Sequence, residues 1–448
     1  LIRSVSYFNT SSGQLLAAIF FLLLLHAAFF FYAVDKKNFY LPPDSYEYLN
    51  QRDNWLREGH FYQGNPEQPH RMYLETRRPP LMAFILATIK FICRQDVCIV
   101  IIQNLLSVGL LIYTMILLRK TDASFKVLLL PVFLLFFPSQ MIYASRIMAD
   151  VFFQVLIFVA FCFLLSGRNN LFAFFLFLTL ATFVKPILFG VWFPALLILL
   201  LLRKKLSLKM RHFAGVITMA SAVILFSWFN YQKTGIFAFS SAPESFLPDY
   251  VALPVLHLAE GREKAMEMHR QIHEKAQQQN DYPSYRSMLI GQSLSVTMNY
   301  PLTTIVLWIK GIIQFFIDPG RWDVLAFTGR QPEEHPEGWL HRLKWQGPVA
   351  AREHWFKQPP WLSVFSIAAM GINLMLLFGF LLMLKDARYP LLFRVMAAVV
   401  VIYLALMTGP LGSARYRLAI FPLLLLSLPA AWRWAIRNLR LKNCSEQV

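Results

Sequence analysis

The sequence predicts an all-α polytopic membrane protein with about ten transmembrane helices, and with further helices lying in the membrane interface within its exterior loops. Three observations predict it. Of 448 residues, 57% are hydrophobic and 15% charged, against about 25% charged in a soluble domain. Long apolar runs recur from one end of the chain to the other. Basic residues gather in short clusters beside those runs, which is how a membrane protein fixes its orientation. The net charge of +18 therefore points to a bilayer as partner and excludes a nucleic-acid reading.

The runs are Leu15–Ala33, Val97–Leu118, Val127–Ala144, Val151–Leu165, Leu171–Val184, Ile187–Leu202, Phe213–Phe229, Leu362–Leu384, Leu391–Thr408 and Tyr416–Ala431. The first follows Arg3 and lacks a small-residue cleavage site before Asp35, so it reads as a retained span and not as a signal peptide. Several runs are shorter than the roughly 20 residues of a spanning helix and must recruit flanking polar residues. Pro79–Cys93 contains Lys90, and Pro301–Ile317 contains Lys310 and Gln314; both read as interfacial helices. Charge decides this. With ten spans and the N-terminus inside, the inner segments carry 17 basic residues against 3 acidic ones. Were Pro79–Cys93 to span, the Arg203-Lys204-Lys205 cluster would move outside, against the positive-inside rule.

The organisation that follows is one membrane body, 1–431, with exterior loops 34–96 and 230–361, and a basic cytoplasmic tail, 432–448. Within the second loop, His257 to Gln279 reads as one charged, water-exposed helix. No internal repeat or separate soluble domain is visible. Four cysteines form neither a disulfide framework nor a zinc pattern, although an oxidising exterior permits a Cys93–Cys98 disulfide. His269 and His273 are four apart on a helix. They sit among Glu267, Arg270 and Glu274, so they read as a solvated helix face and not as metal ligands.

Four polar features fall at one face of this topology. Asp44 opens Asp44-Ser45-Tyr46-Glu47-Tyr48, where a carboxylate near lipid is a natural general base; the bland alternative is a helix cap with Glu47. Arg77-Arg78-Pro79-Pro80 offers guanidinium groups for a phosphate, or for anchoring to lipid headgroups. Asp150 stands at a helix entrance, again as an acid or a cap. Lys185-Pro186 and Arg415-Tyr416-Arg417 place cations at helix ends, where ionisable residues mark a functional path or snorkel to water.

In this order the motifs resemble those of the GT-C glycosyltransferases, in the branch of the protein O-mannosyltransferase-like and lipid A aminoarabinose transferase-like enzymes. The resemblance runs from about Leu15 to Ala431 and includes Pro422 in the last run. It implies a GT-C-like membrane body, a polyprenyl-phosphate-linked sugar donor, and transfer to an acceptor hydroxyl on the non-cytoplasmic side. The setting it implies is a bacterial inner (plasma) membrane with the site facing the periplasm. Asp44 would be the base and Asp150 the second acidic position. Arg78, Lys185 and Arg415 would meet the donor phosphate, and Tyr48, Glu47, Tyr416 and Arg417 complete the expected substrate-binding set. Where many protein mannosyltransferases have Asp-Glu, this chain has Asp44-Ser45. The acceptor therefore stays open among glycolipid, polysaccharide and protein, and a divalent metal stays open too. The competing readings are a flippase or transporter of lipid-linked sugar, which ordinarily shows repeats and mid-bilayer ionisable groups, and a surface-polysaccharide polymerase or ligase.

Overall fold

The apolar runs become helices, and the described residues contain no strand. A bilayer enforces this, because a helix satisfies its own backbone N–H and C=O groups. The computed structural model describes residues 8–122, 125–166, 170–329, 348–349, 352–353 and 360–445. Arg3, Arg168, Glu446 and most of 330–359 lie outside the described residues, as do the side chains of Arg440 and Lys442.

The helices are α1 (Phe8–Asp35), α2 (Asp44–Glu58), α3 (Leu81–Ile92), α4 (Val97–Thr121), α5 (Leu129–Leu135), α6 (Ser139–Ala144) and α7 (Asp150–Leu165). Next come α8 (Leu171–Val184), α9 (Trp192–Leu201), α10 (Ala214–Thr234), α11 (Leu253–Glu260), α12 (Arg262–Gln277), α13 (Tyr282–Asn299) and α14 (Pro301–Ile317). The chain finishes with α15 (Arg321–Phe327), α16 (Pro360–Lys385), α17 (Leu391–Met407), α18 (Ala414–Arg417), α19 (Phe421–Leu426) and α20 (Leu428–Ser445).

Among the described residues, four helices are long and apolar enough to cross a bilayer: Gly13–Asp35, Val97–Thr121, Met210–Thr234 and Pro360–Lys385. Two bent pairs, α13 with α14 at 99° and Ala414–Leu426 with Leu428–Asn438 at 48°, would make six. The protein is thus a membrane-embedded helical protein, but the expected count of ten is corrected. The reason is length. Helices α7, α8 and α17 have 16, 14 and 17 residues, or about 21–26 Å at the helical rise, short of a core roughly 30 Å thick. The run expected at Val127–Ala144 divides into α5 and α6 ahead of and behind Pro138. The last run divides at Ser427.

These short pieces are central. All six residues of α6 and all of α19 are buried, while α1 carries exposed Leu16, Phe20 and Phe31. A helix that is apolar all round is one buried on every side or set in lipid; α19 is the first case, while α1 keeps an apolar face on the outside of the body. At one end of the body Arg433 donates to Asp122 and Asp386, joining three segments that charge counting puts on the inner side.

Two local expectations also change. The charged helix expected from His257 to Gln279 breaks at Gly261, whose φ of +83° suits glycine. The α14 helix meets the 409–412 loop backbone to backbone: a Cβ on Gly311 would lie 1.9 Å from the Gly409 carbonyl oxygen. A main chain cannot swing aside as a side chain can. Gly311→Ala is therefore expected to destabilise the protein by about 1–3 kcal/mol, the usual range for overpacking. Thermal melting in detergent checks this, and a melting temperature equal to wild type would refute the close approach.

Candidate functional site

The site begins with α2, which opens directly after Pro43 with Asp44 and Glu47 in its first turn. Neither carboxylate caps the helix, since no side-chain cap hydrogen bond forms there. Ser45 instead anchors the turn: its hydroxyl donates to the Ile147 carbonyl at 2.8 Å and accepts from the Leu41 N–H at 2.7 Å. This frees the Asp44 side chain to face inward. The Arg78 backbone is fixed on both sides, its N–H donating to Gln63 Oε1 and its carbonyl accepting from Gln51 and Gln63.

Two arginines then close on Asp44. Arg78 donates to one carboxylate oxygen at 2.5 Å, and Arg415 to the other at 2.6 Å. Arg78 also donates to Glu47 at 2.6 Å and to the Tyr48 hydroxyl at 2.9 Å, with its guanidinium 4.4 Å from the Tyr48 ring centre. Arg77 approaches Glu47 at 3.4 Å. Headgroup anchoring is thereby excluded for Arg78, which is turned into the protein. Burial opposes the charge on Asp44, but the Arg415 and Arg78 guanidinium groups overcome it and hold the carboxyl well below the usual range. Burial pushes the Tyr48 hydroxyl up to about 12, so it remains protonated.

Asp150 completes the centre from the start of α7. It is 2% exposed, accepts from Lys185 Nζ at 2.7 Å, and lies 3.4 Å from Arg415 Nε. Again no side-chain cap forms. Lys185 sits where α8 ends, 5.6 Å from the Tyr416 ring centre. Arg415 therefore bridges both carboxylates. Around this bridge four cations, Arg77, Arg78, Lys185 and Arg415, stand with the carboxylates Asp44, Glu47 and Asp150. Such a cluster holds its donors in place before an anion arrives.

Arg417 does not join. It is buried and donates to the carbonyls of Phe315, Phe316 and Asp318, satisfying the open C-terminal carbonyls of α14. Its expected substrate role is corrected to a positioning one, because Asp318 in turn accepts from the Ala414 N–H and so seats the segment carrying Arg415. Sequence reasoning missed Tyr143 and Asp323. The Arg415 guanidinium lies 5.4 Å from the Tyr143 ring centre. The Tyr143 hydroxyl donates to Asp323 at 2.8 Å, and Ser139 donates to the other oxygen at 2.6 Å. Burial raises the Asp323 carboxyl to about 6. A tyrosine inside an apolar run, seven residues before Asp150, was the available signal.

Cys93 and Cys98 are joined by a disulfide between α3 and α4. The two histidines read as solvated are half-buried and face Asp249, which corrects that expectation. Compared with known proteins, the chain matches no family model, no curated protein and no solved structure.

Proposed function

We propose that this protein is a GT-C-like membrane glycosyltransferase that moves a sugar from a polyprenyl-phosphate donor to an acceptor hydroxyl at the non-cytoplasmic face of a bacterial inner membrane. One observation carries the reading: Asp44 and Asp150, far apart in the chain, are bridged by one arginine within a cation-rich cluster. The same residues carry the resemblance to that family. The disulfide adds support, since such bonds persist in oxidising compartments.

In this reading the donor phosphate takes over the guanidinium groups of Arg78 and Arg415 and the ammonium of Lys185. Asp44, released from its arginines, regains basicity. It accepts the proton of the acceptor hydroxyl as that oxygen bonds to the anomeric carbon. The bond from that carbon to the phosphate oxygen breaks, its electron pair leaves with the phosphate, and the configuration inverts. The cations stabilise the charge growing on the leaving group. A flippase reading draws on a different observation: His26, inside α1, bonds to Ser107 at 2.9 Å, and Gln140 and Gln154 continue the chain. Such contacts also serve as interhelical glue, and none of these hydrogen bonds is to Asp44 or Asp150.

Purified protein offered a panel of polyprenyl-phosphate sugars tests the reading. Sugar transfer or release supports it; donor binding without turnover across the panel and a set of acceptors favours the flippase. A pH profile adds a sharper check. In the free enzyme Asp44 is held ionised, and a depressed pKa means that the charge persists as pH falls until well below the ordinary 3.8. The kcat/KM profile, which reports the free enzyme, is therefore expected to show no acid limb above about pH 4. A limb centred near pH 6 would assign the proton transfer to another group.

A further inference from the structure

Beyond the glycosyltransferase reading, the geometry points to a second centre: a divalent transition-metal site, of the zinc type, formed by Asp249, His269 and His273. The two histidines lie one turn apart on α12, a spacing that turns both rings to the same side. Asp249 comes from a separate element, the π-helical segment Phe246–Ala252. All three are partly buried, and their ligand-type atoms lie within 4.8 Å of one another.

The distances discriminate. His269 Nε2 to Asp249 Oδ1 is 3.0 Å, His273 Nε2 to the same oxygen is 3.6 Å, and the two Nε2 atoms are 3.3 Å apart. Ligands at about 2.0–2.1 Å from a tetrahedral zinc stand about 3.3 Å from each other. Hydrogen bonding alone fits less well. A neutral His269 cannot use one Nε2 both to donate to Asp249 and to accept from His273. If both rings are protonated at Nε2, their N–H groups must share one Asp249 oxygen, at 3.0 and 3.6 Å, the second beyond a normal hydrogen bond. Three lone pairs converging on one cation remove the conflict, and a fourth position is left for water.

The location gives the ion a structural consequence. The Phe246–Ala252 segment packs its Phe246 ring against Gly409, in the loop that leads to Arg415. A metal there would tie this segment to α12, bracing the wall behind the loop without touching the carboxylate cluster.

The test uses the full chain in detergent, purified through a tag without histidines and stripped with a chelator. Titration with Co2+ is expected to give one equivalent bound, with the visible absorption of a tetrahedral site, and Zn2+ should displace it. His269→Ala and His273→Ala should each weaken uptake by more than about 100-fold, beyond the loss typical of removing a second-shell partner. His257→Ala, on the neighbouring helix, should keep wild-type uptake. Zn2+ should raise the melting temperature of wild type and leave the two variants unmoved, while their metal-free melting shows that they fold. No uptake by stripped wild type, or undiminished uptake in either variant, overturns the site. Because the readout is metal binding, this result is independent of whether the protein transfers sugar.

Discussion

Asp44→Asn is expected to lower sugar transfer by about 10³-fold, within the range typical of removing a general base. The substitution preserves shape. Arg78 keeps Glu47 and Tyr48, and Arg415 keeps Asp150, so the cluster loses one charge without losing its frame. The amide cannot take a proton from the acceptor hydroxyl. Donor binding, read by competition with a labelled polyprenyl phosphate, should stay within a few-fold of wild type or tighten, because Asp44 no longer competes with phosphate for the two guanidinium groups. Near-normal turnover by Asp44→Asn would sink its assignment as base while leaving the enzyme class standing. Loss of turnover together with loss of donor binding would instead make Asp44 a positioning residue.

The second large effect is expected at Arg415. It is the residue that touches both Asp44 and Asp150, and Asp150 is almost fully buried. Arg415→Met leaves Asp150 with Lys185 alone, and removing one partner of a buried charge pair costs about 3–5 kcal/mol. Partial solvent access on the Asp44 side argues for the lower end, about 3 kcal/mol. Transfer should fall by at least about 10²-fold, as when one preorganised donor is lost. Arg415→Lys should recover part of the stability and little of the rate, since an ammonium cannot span two carboxylates as the planar guanidinium does. Combining Arg415→Met with Asp150→Asn should recover more than about 1 kcal/mol relative to additivity, the signature of directly coupled neighbours. Strict additivity, or a melting temperature unchanged in Arg415→Met, would refute the bridge.

Much of the candidate site was legible in the sequence. Asp44, Glu47, Tyr48, Arg78, Asp150, Lys185, Arg415 and Tyr416 all contribute to one cluster, and each stands in the sequence as an ionisable or aromatic residue beside an apolar run or in the loop that follows one. Arg417 had the same signature and a different fate, because two residues of helix turn it about 200° away from Arg415, to the carbonyls of α14. Tyr143 and Asp323 gave almost no signal, one lying inside an apolar run and the other on a short helix without periodicity. The charges flanking His269 and His273 point, by sequence alone, to a solvated helix face. What brings them out of that setting is Asp249, twenty residues before His269, which the fold places against both rings.

By itself, then, the sequence determined that the chain lives in a membrane, and it marked the residues that collect at one end of the fold. Both are properties of single segments: the transfer of an apolar run from water to hydrocarbon is local, and so is the cost of leaving a charge beside it. Tertiary structure decided which runs meet lipid and which are packed inside, because apolar surface is buried equally well by lipid or by protein. It also decided the pairings. Arg415 reaches Asp44 across 371 positions of the chain, and a contact of that range depends on where several helix ends converge, which no local hydropathy or spacing encodes.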